Sequence, residues 1–408
     1  MIIFPEVTPK HLLQYISSLV GMVIASAGVL GPVLGGILTH YASWRWIFWI
    51  NGPIGFVSLL VFYFTWPDAK HLPTLQRRTW KELDFVGSIL LVSASVLLVF
   101  SFQNVGADGN KWSQAVFIVP VTIGGICFML LLGWETLVSK LWNNRIMAAI
   151  PISLLRNRVY LATIFNTMFL GFPYLLIIYA FPIHMQIVNG KSSLLAGVLL
   201  LPMLGSVALG TTLGGIVNKS KNRLFETMVV ASCFMTLGCG LMTTLSSSAT
   251  LEPKALGFLA FVGFGFGLSA TSSTVLGTTE SEISDHAQVR ILGGSLGIAA
   301  STAILGNFTR NDLTGVVSPE YLSSPHGGGI NLTEAQAAAV RHAYTDSFRK
   351  DMQVGTILSG IAILLSLGIY RRNRVTFEEQ RQMHIRIEVE RRRRASAATT
   401  LVSSTATD

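Results

Sequence analysis

Arg290 stands at the head of an apolar run, Ile291–Phe308. A guanidinium there can pair with an acid, contact a substrate or snorkel to the lipid headgroups. Glu280, Glu282 and Asp285 precede it closely, so the expected role is a structural or gating ion pair rather than substrate contact. A second apolar run gathers hydroxyls at Ser269, Thr271, Ser272, Ser273 and Thr274, and a third carries Phe172, Tyr174 and Tyr179. Amphipathic rings stack flat apolar ligands, yet they equally meet core or lipid. Hydroxyls in a helix equally back-bond to its own carbonyls or pack against a neighbour. All of this is chemistry of holding, not of bond-making. The sequence offers no catalytic triad, no paired carboxylates within an apolar run and no metal-ligand cluster. The expectation is therefore no enzyme, no metal and no cofactor. Cys127, Cys233 and Cys239 lie inside apolar blocks, as small buried hydrophobes do. No acidic residue falls in the middle of an apolar run, which argues against a proton crossing the centre of this chain alone.

The elements that position these residues are apolar blocks long enough to cross a bilayer. The chain has 408 residues, 50% hydrophobic and only 12% charged, about half the charge of an ordinary soluble domain. About 20 apolar residues cross the hydrocarbon. Ten blocks qualify, running approximately Leu12–Thr39, Trp46–Trp66, Phe85–Phe102, Ser113–Trp134, Tyr160–Phe181, Leu194–Val217, Phe225–Leu245, Ala255–Leu276, Ile291–Phe308 and Met352–Tyr370. The expected fold is thus an all-α integral membrane bundle. With alternating loops, most of the 30 Lys and Arg fall on one side, above all in the tail from Arg371 to Arg394. That asymmetry places both termini in the cytoplasm. The stretch Met1–Lys10 lacks the basic start of a cleavable leader, so the first span is expected to be its own insertion signal. The net charge of +9 reads as membrane topology, not as nucleic-acid binding. The polar loop Thr309–Arg349 is expected outside, with a short helix opening at Thr333 and Gln336 set for a capping box. Sequons at Asn307 and Asn331 are candidate glycosylation sites, Asn331 the better because it lies farther from the membrane.

The first span carries small residues at Ser18, Ala27, Gly28, Gly31, Gly35 and Gly36, with Pro32 among them. Spacings of four clear two adjacent helix faces of bulk, which suits close packing in lipid. Pro32 bends the helix. Such a surface fits either a static seam or one that slides against a partner. Gly31-Pro32-x-x-Gly35-Gly36 resembles the antiporter motif of major facilitator exporters. Trp44-Arg45-Trp46-x-Phe48-x-x-Asn51-x-Pro53-x-Gly55 is similar to the outer loop and next span of that family. Further resemblances follow in order: Asp84-x-x-Gly87 with Gly133-Trp134-Glu135, Gln186-x-x-x-Gly190-x-Ser192-x-x-x-Ala196-Gly197-x-x-x-x-Pro202, and Arg290-x-x-Gly293-Gly294-x-x-Gly297. Together they resemble the fourteen-span drug:proton antiporters, of the fungal toxin and multidrug efflux type, without the first four spans.

The resemblance implies a major facilitator bundle with an incomplete amino-terminal half. Residues 1–66 would be two spans of that half, 67–159 two linker spans and a cytoplasmic loop, 160–371 a complete six-span bundle with the external loop 309–349, and 372–408 a basic tail. It implies export of small, mostly apolar compounds by proton antiport, with alternating access across a multi-pass protein of the plasma membrane. Packing of the antiporter helix would fall to Gly28, Gly31, Pro32, Gly35 and Gly36. Cavity candidates are Phe172, Tyr174, Tyr179, Ser269, Thr271 and Ser273. The other reading is a non-transporting membrane protein or subunit, with a partner chain supplying the remaining spans.

Overall fold

A computed structural model describes residues 27, 30–65, 83–108, 112–141, 157–220, 223–280, 286–318 and 332–370. The described chain is helical, and no named strand occurs among the described residues. Helix α1 covers residues 30–41. It is followed by α2 (Arg45–Trp49), α3 (Asn51–Thr65), α4 (Phe85–Asp108), α5 (Ala115–Leu141) and α6 (Arg158–Ile187). Then come α7 (Ser193–Val198), α8 (Leu201–Ser220), α9 (Leu224–Met242), α10 (Lys254–Glu280), α11 (His286–Leu313) and α12 (Glu334–Leu367). Nine helical stretches among the described residues are long and apolar enough to cross a membrane, and they correspond to the second through tenth expected spans. Most of the first expected span, including Ser18 and Gly28, lies outside the described residues, as do Asn331 and the basic tail.

Two expected boundaries need correction. The helix capped at Thr333 is not short: it runs without a break into the last span as one 34-residue rod, α12. The capping box is present, with Thr333 Oγ1 accepting from the Gln336 amide and the Gln336 side chain accepting from the Thr333 amide. Gln336 also donates to the Val316 carbonyl at 2.8 Å, tying this end to the turn after α11. The sixth expected span is in turn two helices, α7 and α8, parted at Leu199 and Leu200. Pro202 has no N–H to continue the ladder, and the chain restarts with it in the first turn of α8.

Burial separates a core from a periphery. Half of the span window is buried in α6 and in α10, against 17% in α4, 11% in α5 and none in α2–α3. Helix α6 lies against α10, α11 and α12; α10 lies against α8 and α9; α12 also meets α9 and α11. The contacts of α6 with α11 and α12 thus mirror those of α10 with α8 and α9. Helices in lipid gain little by hiding apolar surface from each other, so backbone proximity does the work. At the α6–α11 seam a Cβ on Gly293 would sit 2.2 Å from the Met168 carbonyl oxygen, and one on Gly297 2.4 Å from that of Phe172. At the α8–α10 seam a Cβ on Gly263 would meet the Met203 oxygen at 2.0 Å, and one on Gly267 the Val207 oxygen at 2.3 Å. No side chain fits these places. Polar knots add direction. Buried Asn166 of α6 donates to Ser232 of α9 at 3.2 Å and to the Ala362 carbonyl of α12 at 2.7 Å. Arg158 donates to the Tyr370 carbonyl at 2.9 Å, closing α6 and α12 at their shared end.

The α4–α5 hairpin has its own clasp. Asp84 accepts from the Gly87 amide at 2.7 Å, capping α4, and from the Trp134 indole N–H at 2.8 Å. Two short motifs 50 positions apart thus meet in one hydrogen bond. A Cβ on Gly87 would lie 2.2 Å from the Asp84 carboxyl oxygen, so glycine lets the carboxyl keep this position.

Two stability measurements in detergent check these assignments. Gly267→Ala is expected to lose about 1–3 kcal/mol through overpacking. Gly215→Ala, with nothing near its Cβ, is expected to gain up to about 1 kcal/mol of helix propensity. Equal thermal shifts in the two variants would contradict the seam. For the hairpin, a double-mutant cycle on Asp84→Ala and Trp134→Phe should return a coupling of about 0.5–3 kcal/mol, and strict additivity would contradict the clasp.

Candidate functional site

Helix α6 is the hub that brings the sequence candidates together. Asn157 caps its start by accepting from the Val159 amide at 3.1 Å, and Pro173 and Pro182 interrupt its ladder from within. Gly171, two residues before the first of these prolines, allows the backbone of α11 to press in: a Cβ on Gly171 would lie 2.4 Å from the Arg290 carbonyl oxygen. That contact delivers Arg290 to a cluster formed by α6, α10 and α11.

The guanidinium of Arg290 donates to Ser273 Oγ and, at 3.4 Å, to the Ala270 carbonyl of α10. It also lies over the Phe266 ring, 5.4 Å from the centroid. Phe266 stacks on Tyr174 with centroids 3.4 Å apart and planes within 6°. Arg290, Ser273 and Tyr174, singled out separately in the sequence, therefore share one site, and Phe266 joins them unannounced. The arrangement can hold a flat group: one face meets stacked rings, and a delocalised cation lies close by. The acids expected to pair with Arg290 lie beyond the described side chains. Glu282 and Asp285 lie outside the described residues, and nothing is described of the Glu280 side chain.

The other candidates divide. Thr271 donates to the Thr211 carbonyl at 3.0 Å, and Ser272 accepts from Asn218 at 3.2 Å, so both bind α10 to α8. Ser269 is buried without a hydrogen-bond partner for its hydroxyl. Phe172 contributes its carbonyl to the Gly297 contact, and its ring packs on the core. Tyr179 sits within 3.5 Å of Thr302 and lines a different cavity. Asn307 is exposed on α11, where its side chain accepts from Asn311 at 3.1 Å.

That second cavity was missed by sequence reasoning. It is lined by Tyr179, Ile183 and His184 of α6, Ser301 of α11, and Tyr344 and Asp351 of α12, among others. Asp351 lies just before the expected last span, where Arg349 and Lys350 make the sequence look extramembranous. It is in fact the midpoint of α12 and 2% exposed. The expected limit at Met352 is therefore corrected: a buried acid lies on the helix that carries the last span. The usable signal was the spacing Tyr344, Ser347, Phe348, Asp351, which puts four residues on one helical face.

The antiporter-motif residues meet the second half of the chain directly. A Cβ on Gly36 would lie 2.9 Å from the Leu194 Cα, and one on Gly197 would lie 2.6 Å from the Pro32 carbonyl oxygen. Gly31 and Gly35 face open space. Gly190, at a φ of 60°, reverses the chain between α6 and α7 and thereby presents α7 to this contact.

Comparison with known proteins agrees with this architecture. The family model described as Major Facilitator Superfamily matches residues 1–307. Similar curated proteins are fungal. The MFS-type transporter FPY5 of Fusarium mangiferae is 30% identical, over 88% of this chain and 63% of that protein. The MFS-type transporter TOXA of Cochliobolus carbonum is 25% identical, over 88% and 67%. The Aspyridones efflux protein of Neocamarosporium betae is 25% identical, over 89% and 66%. The chain thus spans 63% of the length of FPY5 and about two thirds of the other two. Among solved structures, a bacterial homologue of the lysosomal transporter Spinster superposes with a TM-score of 0.46 at 13% identity, covering 90% of this chain and 74% of that one, a likeness too distant to carry argument. With a family match over three quarters of its length, small-residue seams and apolar spans throughout, the chain belongs to the Major Facilitator Superfamily of membrane transporters, and is not an enzyme.

Proposed function

We propose that this chain exports small, mostly apolar compounds by proton antiport with alternating access. The supporting observation is the seam between α1 and α7, where Gly36 and Gly197 let two backbones touch without intervening side chains. A joint of that kind permits rocking, because no interdigitated side chains have to be unthreaded. One relative is named an aspyridones efflux protein, which supports export as the direction of transport. In this reading residues 160–371 form a six-span bundle of two inverted three-helix repeats, supported by the mirrored contacts of α6 and α10. Residues 1–66 belong to the other bundle, 67–159 hold the linker spans, and both termini are cytoplasmic at the plasma membrane. The Tyr174–Phe266–Arg290 cluster faces the substrate.

A second reading is favoured by one observation. Every residue of α3 is exposed, and among the described residues the helix it chiefly meets is α2. A partner chain, or upstream spans of the same protein, would cover that surface.

The deciding experiment loads proteoliposomes of the purified chain with a fluorescent apolar cation dye and imposes a pH gradient. Dye flux that follows the gradient is expected, with Gly197→Val slowing it by about tenfold, in keeping with about 1–3 kcal/mol of overpacking. Absence of gradient-dependent flux, with activity appearing only when an upstream-extended chain is used, would establish the second reading instead.

A further inference from the structure

The cavity at the junction of α6, α11 and α12 contains a carboxyl and an imidazole, each almost wholly enclosed: Asp351 is 2% exposed and His184 3%. Asp351 Oδ2 accepts a hydrogen bond from Ser301 Oγ at 2.5 Å. Its Oδ1 is buried with no hydrogen-bond partner, and so is His184 Nδ1. The imidazole is held in plane by the Phe348 ring, 4.7 Å away at 30°. Phe348 and Asp351 share a face of α12, so the group that fixes the histidine travels with the acid. Two unpartnered polar atoms from different helices thus share one small polar space.

We propose that Asp351 and His184 together form a proton-binding site, occupied by a single exchangeable proton. This deepens the antiport reading above and rests on it for its role in transport, although the site itself is tested separately.

The chemistry follows from charge. With one proton the pair is neutral overall, either as carboxylic acid and neutral imidazole or as carboxylate and imidazolium. With none, a lone carboxylate remains in an enclosed space with only Ser301 donating to it, a state disfavoured by several kcal/mol of lost solvation. Release therefore requires the space to open to water, by parting α12 from α6 or α11. Binding favours closure for the same reason. Ser301 occupies Oδ2, so the proton binds Oδ1 and passes to or from Nδ1 across a water. Protonation thereby becomes a clamp on the junction of three helices, without any bond broken except that to the proton itself.

The surrounding ionisable groups leave this pair in control. From α6 the cavity receives Tyr179 besides His184, from α12 Tyr344, and from α11 only the Ser301 hydroxyl among its polar groups. The thiol of Cys239 on α9 packs near Gly355 of α12. Glu252, in the connection from α9 to α10, acts electrostatically on His184. It accepts from Ser246 and pairs with Lys254 at 3.0 Å, and these contacts keep its carboxyl below the usual range. Asp346 is engaged by His342 at 2.9 Å and Arg349 at 3.0 Å on the outer face of α12.

Infrared difference spectroscopy of the full chain, titrated with acid in lipid, reads the site directly. The wild-type protein is expected to show a protonated-carboxyl carbonyl band that Asp351→Asn removes and that His184→Gln displaces in pH midpoint by at least one unit. An Asp351→Asn spectrum identical to wild type overturns the site, and so does an unmoved midpoint in His184→Gln. Should the asparagine variant fail to fold, Asp351→Glu replaces it, and its band must then shift in frequency. In proteoliposomes, Asp351→Asn is expected to lose at least tenfold of the acceleration of dye flux by a pH gradient. Full gradient dependence in that variant overturns the coupling role. If wild-type protein moves no dye, the antiport reading fails, and the infrared result alone decides the site.

Discussion

Backbone-to-backbone contact at glycine is the constraint on which this bundle depends. Water expels apolar side chains from its midst; hydrocarbon does not, so helix association in a membrane must draw on dispersion and on short polar contacts. Both fall steeply with distance. Gly263 and Gly267 bring α10 against α8, Gly293 and Gly297 bring α11 against α6, and each glycine touches a carbonyl of the facing helix. Because the seams are so close, side chains such as Asn166 and Asn218 reach across to a second helix. Without the glycines those amides would be buried and unanswered, a worse state than an apolar one.

The same constraint explains the position of the ring and guanidinium cluster. Arg290 is carried inward where its own carbonyl rests on Gly171. There its guanidinium meets a hydroxyl, a carbonyl and an aromatic face.

Much of this was legible in sequence, because apolar length and glycine spacing are local properties. Gly293 and Gly297 lay in a flagged motif, as did Asp84 and Trp134, and Thr333 and Gln336 foretold a capping box, whereas Gly263 and Gly267 were not singled out. Their mutual hydrogen bond did not show, since nothing local encodes a partner 50 positions away. Phe266 was passed over for a similar reason: a phenylalanine in a span looks like lipid-facing bulk until Tyr174 is laid upon it. Asp351 escaped because a window that stops at charge stops at Arg349 and Lys350. Those two side chains are exposed, on turns of α12 whose other face is core. Helical continuity across a change in polarity is set by what packs alongside, and that neighbour, α6, lies far back in the chain.

The unbroken course of α12 has a mechanical corollary. Thirty-four residues make a rod about 51 Å long, roughly 20 Å more than the oil it crosses. The surplus is anchored, since Gln336 donates to the Val316 carbonyl and Val340, Ala343 and Tyr344 pack with Val188 and Leu313. A tilt of α12 therefore carries the turn after α11 with it. An antibody or a fluorescent tag placed near Glu334 would report, from the aqueous side, movements that take place where no probe can reach.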